Sequence, residues 1–237
     1  MNQSWSIIIF CYNEEKTIGI VIDSVNNFLN YNKLTGSEVI VVDDGSVDGS
    51  EKVIRPFLKN SKKIDYIRLA KNMGIGNALM TGYANAKNEN VVAVPGDGQF
   101  DINELEPFIN FPEKTFISFY RKELRNYSRY RKIITEANKL FNKYLLSLDL
   151  KDVNWVKAYK TKDLKEIDLK LESSLIGSEI CAKLAMKKYS IIESVSVYHN
   201  RLGGKSRGAS LKTLSQAAKD LIKLIFIIKM FKKVQNK

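Results

Sequence analysis

Residues 41–49 read Val41-Val42-Asp43-Asp44-Gly45-Ser46-Val47-Asp48-Gly49, an apolar run that breaks abruptly into acids and glycines. The run closes Glu38–Val42, a strand candidate rich in Val and Ile with little polar alternation. Strands buried on both faces of a parallel sheet read this way. Two adjacent carboxylates at the carboxyl end of such a strand can accept from a nucleobase N–H and from ribose hydroxyls. Gly45 supplies a tight turn, and Asp48 can cap the next helix. Asx-turn chemistry also accounts for Asp48. It accounts less well for Asp43 and Asp44 together, because neighbouring like charges cost energy without a partner.

The same grammar repeats on either side. Trp5–Phe10, Ile64–Leu69 and Val91–Val94 are further strand candidates, and Thr17–Leu29, Gly49–Leu58 and Gly74–Ala86 are helix candidates between them. Strand–helix–strand repetition implies an α/β fold: a mainly parallel sheet with helices on both faces. Ligands on such sheets bind beyond the carboxyl ends of the strands. Further along, Thr115–Phe119 suits a fifth strand, Tyr130–Leu148 carries a helical apolar stripe, and Ser174–Lys187 and Ile191–Tyr198 follow as helix and strand. A Gly-rich basic loop, Arg201–Gly208, precedes a last helix from about Ser210 to Phe231. With no internal repeat and no Pro/Gly/Ser linker, one catalytic domain over 1–208 with an appended helix over 209–237 is expected.

Each of the other early strands also ends in a polar cluster. Cys11-Tyr12-Asn13-Glu14-Glu15 offers Tyr12 to cover a base and an acid for its donor groups, although acids also suit a helix start. Asn72-Met73-Gly74-Ile75-Gly76-Asn77-Ala78 can bring backbone N–H groups to a phosphate, with helix packing an equal competitor for the glycines. Pro95-Gly96-Asp97-Gly98-Gln99-Phe100-Asp101 places a carboxylate and an amide oxygen two residues apart, a pairing that suits a hard divalent cation. Such a cation would neutralise charge growing on a leaving diphosphate.

In order, Tyr-Asn-Glu, Val-Val-Asp-Asp-Gly-Ser-x-Asp, Asn-x-Gly-x-Gly-x-Ala and Gly-Asp-Gly-Gln resemble the family 2 glycosyltransferases of GT-A fold. The resemblance is to the branch of dolichyl-phosphate mannosyltransferase and bacterial polyprenyl-phosphate sugar transferases. It continues through Arg121, Arg125, Arg131, Asn138, Trp155–Tyr159 and Arg201-Leu202-Gly203-Gly204-Lys205-Ser206, so it covers roughly residues 5–207. It implies an inverting transferase that takes a sugar from a nucleotide-sugar donor. Tyr12, Glu14, Asp43 and Asp44 would hold the nucleoside, and Asp97 and Gln99 would bind Mg²⁺ or Mn²⁺ with the diphosphate. Arg121, Arg131 and Arg201 would handle phosphates, with Lys205 and Ser206 nearby. Two positions depart from the family pattern: Pro95 stands where the first acid of Asp-x-Asp-x-Gln is usual, and Ile75 where a basic residue is common. Metal binding would then rest on two protein ligands with phosphates and waters.

A sugar hydroxyl acceptor needs a general base, whereas a phosphate monoester is already an anion. Family members acting on hydroxyls commonly carry an acidic pair near Ser178-Glu179, where only Glu179 stands here. A structural or arginine-pairing role is expected for Glu179, and guanidinium forks suit a phosphate. A polyprenyl phosphate is therefore the expected acceptor, with transfer to a sugar hydroxyl in polysaccharide or glycolipid assembly as the alternative.

The chain carries a formal net charge of +12, and much of the excess lies in 201–237, where ten Lys or Arg face the single Asp220. In the last helix Lys212, Lys219 and Lys223 share one face, and Leu211, Leu214, Ala218, Leu221 and Ile225 the other. Lysines interrupt it too often for a spanning segment of ~20 residues. It suits a membrane interface or packing on the protein body. A nucleic-acid partner is disfavoured, because the strand-end acids would repel a phosphate backbone. Nucleotidyl transfer is disfavoured by the acidic, rather than Gly-rich and basic, loop after strand one. Ser6–Phe10 lacks the flanks of a signal peptide, and His199 alone makes no metal site. Cys11 and Cys181 give no disulfide framework, so a reduced cytoplasmic setting is expected, with the protein peripheral on the cytoplasmic face of a membrane.

Overall fold

The computed structural model describes residues 3–122, 129–146, 148–201 and 211–235. Seven strands form one sheet in the order β3-β2-β1-β4-β6-β5-β7. They are β1 (Trp5–Cys11), β2 (Glu38–Asp43), β3 (Ile64–Arg68), β4 (Asn90–Pro95), β5 (Thr115–Arg121), β6 (Lys157–Lys160) and β7 (Ser190–Ser196). Six run the same way. β6 alone is antiparallel, wedged between β4 and β5. The carboxyl ends of β1, β2, β3, β4, β5 and β7 therefore share one edge, joined there by the amino end of β6.

Helices α1 (Ile18–Tyr31), α2 (Ser50–Asn60), α3 (Ile75–Asn85), α4 (Arg129–Leu146), α5 (Thr161–Glu166), α6 (Ile176–Met186) and α7 (Leu211–Gln235) cover the sheet, with a 3₁₀ segment at Ile102–Phe108. One face packs α1, α2 and the 3₁₀ segment around Ile7, Ile9, Val41 and Phe119. The other packs α3, α5, α6 and α7 around Ile8, Ile40, Phe116 and Tyr159. β1 explains why its run lacks alternation: Trp5, Ile7, Ile8 and Ile9 are all fully buried, alternately in the two cores. Each such isoleucine stabilises the fold by about 1.5–3 kcal/mol.

The expected strands and helices are present with ends shifted by a residue or two, except that the last helix runs on to Gln235. β6 and α5 are additions to the sequence reading. β6, Lys-Ala-Tyr-Lys, is buried throughout yet half lysine. Lys157 Nζ donates to the carbonyls of Val153 at 2.6 Å and Trp155 at 3.0 Å, and Lys160 Nζ to Gln3 at 2.9 Å and Glu89 at 3.2 Å. Hydrogen bonds to each ammonium offset its burial cost. In α7 the buried stripe is Asp220, Leu224 and Ile228. Leu221, on the face read as suiting a membrane interface or the protein body, packs against the core, together with Ile227 and Phe231. A second stripe, Ile222, Phe226, Met230 and Val234, is exposed by 59% to 74%.

Candidate active site

At the shared strand edge, the loop after β2 is fastened by its own acids. Asp43 is fully buried; its Oδ1 accepts from Ser46 N at 2.8 Å and its Oδ2 from Tyr66 Oη at 2.8 Å. Asp44 accepts from Met73 N at 2.7 Å and Gly74 N at 2.9 Å, clamping the start of α3 to the end of β2. Each acid thus has internal partners, and the energetic objection to a structural role loses its force. Gly45, at φ +71°, passes so close to Lys71 that an added Cβ would lie 2.4 Å from its carbonyl carbon. Gly76 has a packing reason as well: a Cβ there would come within 2.1 Å of the Glu172 backbone. Tyr12 sits half-buried just past β1.

Glu14 is brought to a different neighbour than the sequence reading supposed. Its carboxylate lies with Asp97, not with Asp43. Arg201 binds both: Nη2 donates to Glu14 Oε1, and Nη1 donates to Asp97 Oδ2 at 3.2 Å. Thr17 Oγ1 ties the same corner, donating to Glu14 Oε2 at 3.2 Å and to the Gly96 carbonyl at 2.8 Å. The Asp97 turn is closed by Gln99 N donating to Asp97 Oδ1 at 3.1 Å. Burial raises the Asp97 carboxyl above its ordinary pKa, opposed by the Gln99 N–H and by Arg201. Burial raises Glu14 too; Arg201 opposes that shift and Asp97 adds to it. The corner holds two desolvated acids that favour a positive charge between them.

Gln99 donates through Nε2 to Tyr198 Oη at 2.6 Å, which leaves its carbonyl oxygen as the acceptor end of the amide. The backbone N–H of His199 donates to the backbone carbonyl of Gln99 at 3.2 Å. Arg121 lies in the same half, its fork bidentate on Asp152 at 2.6 and 3.1 Å. Its guanidinium sits 4.6 Å from the Trp155 ring centroid and 5.6 Å from that of Tyr198. A phosphate at Arg121 would have to compete with Asp152. Asp152 and Tyr198 were not singled out from the sequence; two aromatics and an acid scattered over 121–198 carry no spacing signal. The side chain of Arg131, with Arg125, Lys205 and Ser206, falls outside the described residues.

Glu179 is fully buried and remote in its bonding from this corner. It accepts from Leu171 N at 2.9 Å, Lys170 N at 3.0 Å and Lys183 Nζ at 2.6 Å. The expected structural role is the one observed, with a lysine as partner in place of an arginine.

Among the described residues, no three His, Cys, Asp or Glu side chains are grouped to hold a metal by themselves. Asp97 and Gln99 nevertheless fit a cation that draws its other ligands from phosphates and water, because their corner already draws a guanidinium onto paired carboxylates.

The family model for glycosyl transferase family 2 matches residues 6–159. The chain belongs to this family. The matched span of this family 2 member runs from β1 through β6, and so contains the Asp43-Asp44 and Asp97 turns. A human dolichyl-phosphate beta-glucosyltransferase is 32% identical over 114 residues, 44% of this chain and 35% of that one. An uncharacterized glycosyltransferase of Bacillus subtilis is 25% identical over 90% of this chain and 65% of its own length. The match thus spans about a third of the length of the dolichyl-phosphate relatives. Glucosyl-3-phosphoglycerate synthase from Mycobacterium tuberculosis, solved with Mn²⁺ and UDP, has TM-score 0.65 at 17% identity, over 95% of this chain and 80% of that one. A Pyrobaculum calidifontis mannosyltransferase, solved with GDP-Man and Mn²⁺, has TM-score 0.63 at 18% identity, over 94% and 65%. These likenesses establish the GT-A fold.

Proposed function

We propose that this family 2 member transfers a sugar, with inversion, from a nucleotide-sugar donor to a polyprenyl phosphate. The observation that carries the reading is Glu179. The acid that stands where hydroxyl-acceptor relatives keep a base is locked onto two backbone N–H groups and Lys183. An acceptor that arrives as an anion needs no base. The dolichyl-phosphate beta-glucosyltransferases among its relatives support the same class of acceptor, and the solved complexes with UDP or GDP-Man and Mn²⁺ support the donor class.

In this mechanism the nucleoside lies over the ends of β1 and β2, with Tyr12 on the base and Asp43 and Asp44 shaping the floor. Asp97 and the Gln99 side-chain amide oxygen would hold Mg²⁺ or Mn²⁺, which when bound would neutralise charge on the departing diphosphate. Arg201, with Arg131, Lys205 and Ser206, would orient the acceptor phosphate for attack on the anomeric carbon. Arg121, stacked near Trp155 and Tyr198, would join this group by exchanging Asp152 for a phosphate. The test is product analysis after a screen of nucleotide-sugars against a short polyprenyl phosphate and against free sugars. A lipid-linked sugar phosphate is expected; transfer only to sugar hydroxyls would move the chain to the alternative reading.

The same reading makes 1–208 the catalytic unit and 209–237 an attachment to the cytoplasmic face of a membrane. No helix among the described residues is long and apolar enough to cross one. The exposed Ile222-Phe226-Met230-Val234 stripe is flanked by exposed Lys219, Lys223, Lys229 and Lys233. α4, which α7 touches, leaves Leu140, Tyr144 and Leu145 exposed. Lysines near an anionic surface contribute about 1 kcal/mol each. Flotation with anionic liposomes should carry the intact chain. Phe226→Ser with Met230→Ser should stay behind, because both side chains are exposed and their loss opens no core cavity. Equal flotation of the two proteins would assign the stripe another role.

A further inference from the structure

Arg201 comes from beyond β7, whereas Glu14 and Asp97 follow β1 and β4, so the tertiary fold alone brings the three together. Its side chain is 21% exposed, against 8% for Glu14 and 14% for Asp97. A guanidinium placed between two acids presents donors in a fixed fork and removes the mutual repulsion of the carboxylates. The backbone just before it is pinned to the Asp97 turn, through His199 N on the Gln99 carbonyl at 3.2 Å and Gln99 Nε2 on the His199 carbonyl at 3.4 Å. The contact is therefore a built part of this edge.

We infer that Arg201 is the resident cation of the donor corner: without donor it bridges Glu14 and Asp97 and keeps a free divalent ion off Asp97. The inference rests on the reading of Asp97 as a metal ligand. A metal arriving alone must displace the guanidinium from Asp97 and leave it near a new dication. A metal arriving with a diphosphate brings the negative charge that receives the displaced guanidinium. Metal and donor then load together, and Arg201 turns toward phosphate only once they have loaded. Pro95 fits this arrangement. With no second acid at that position, one guanidinium satisfies the corner.

The test measures Mn²⁺ binding by electron paramagnetic resonance, alone and with UDP or GDP as probes. Wild-type protein should bind Mn²⁺ weakly without nucleotide. Arg201→Gln should tighten donor-free Mn²⁺ binding by at least about tenfold, since a unit charge at contact distance is removed. Arg201→Lys should fall between them, keeping the charge but not the fork. Arg68→Gln is the control for general charge, because Arg68 pairs with Glu51 and Asp43 at the far end of the edge; it should change the affinity by less than about twofold. Thermal melts verify that each variant is folded. Donor-free affinity of Arg201→Gln within twofold of wild type, or a rise matched by Arg68→Gln, overturns the inference. The metal reading has its own arm. Asp97→Ala that binds Mn²⁺ with nucleotide as tightly as wild type sinks that reading whatever Arg201 does.

Discussion

Asp97→Ala should leave a folded protein that has lost about three orders of magnitude in turnover, the scale expected when charge on a leaving diphosphate goes unsupported. The carboxylate sits on a turn beyond β4 and touches Gln99 N and Arg201 rather than the core. Its removal opens no large cavity, and the melting temperature should move little. Chelation by EDTA should reproduce the loss in the wild type, and added Mn²⁺ or Mg²⁺ should restore it. Steady-state assays of the purified variant against the screened donor provide the measurement. Undiminished turnover in Asp97→Ala would remove the residue from the site.

The second large effect is on stability and concerns Glu179→Ala. Lys183 is nearly fully buried; besides Glu179 it donates to the Asp168 carbonyl, and it lies 5.5 Å from the Phe231 ring centroid. Deleting the acid leaves a buried ammonium short of its counter-charge and frees two backbone N–H groups. Breaking a buried pair in this way costs about 3–5 kcal/mol, a fall of roughly 10 °C in melting temperature for a chain of this size. Glu179→Gln should be milder and should keep substantial turnover per folded molecule. Chemical denaturation with activity measured on the folded fraction separates the two quantities. A stable Glu179→Gln that has lost all turnover would restore Glu179 as a base.

The contrast between these acids shows what a linear chain discloses. Buried parallel strands announce themselves, because a strand covered on both faces has no polar alternation to hide it. Ile7-Ile8-Ile9 and Val39-Ile40-Val41-Val42 were legible for that reason. β6 was not, because lysines whose ammonium groups are capped by carbonyls and side-chain oxygens look like surface residues. The strand-end acids were legible as a group, but their division of labour was not. Asp44 reaches forward to the start of α3, Asp43 reaches Tyr66 on β3, and Glu14 turns to Arg201. Those partners are set by which strands become neighbours. Glycine spacing left packing and phosphate approach level, and for Gly76 the packing reason is visible only in the fold, where the Glu172 backbone presses on α3.

The wedge of β6 between β4 and β5 has a consequence for synthesis of the chain. β1 pairs with both β2 and β4, so the first four parallel strands can assemble as soon as they clear the ribosome. The free side of β4 then waits for Lys157–Lys160, which pairs with β5 as well, and the far side of β5 waits longer, since Thr115 faces Ser190. Throughout that interval the nascent chain displays Phe116, Ile117 and Phe119, all fully buried at the end. Pairings so distant in sequence are slow, and open strand edges invite association. Ribosome-stalled chains ending before β7 should therefore recruit chaperones strongly, and release should coincide with emergence of residues 190–196.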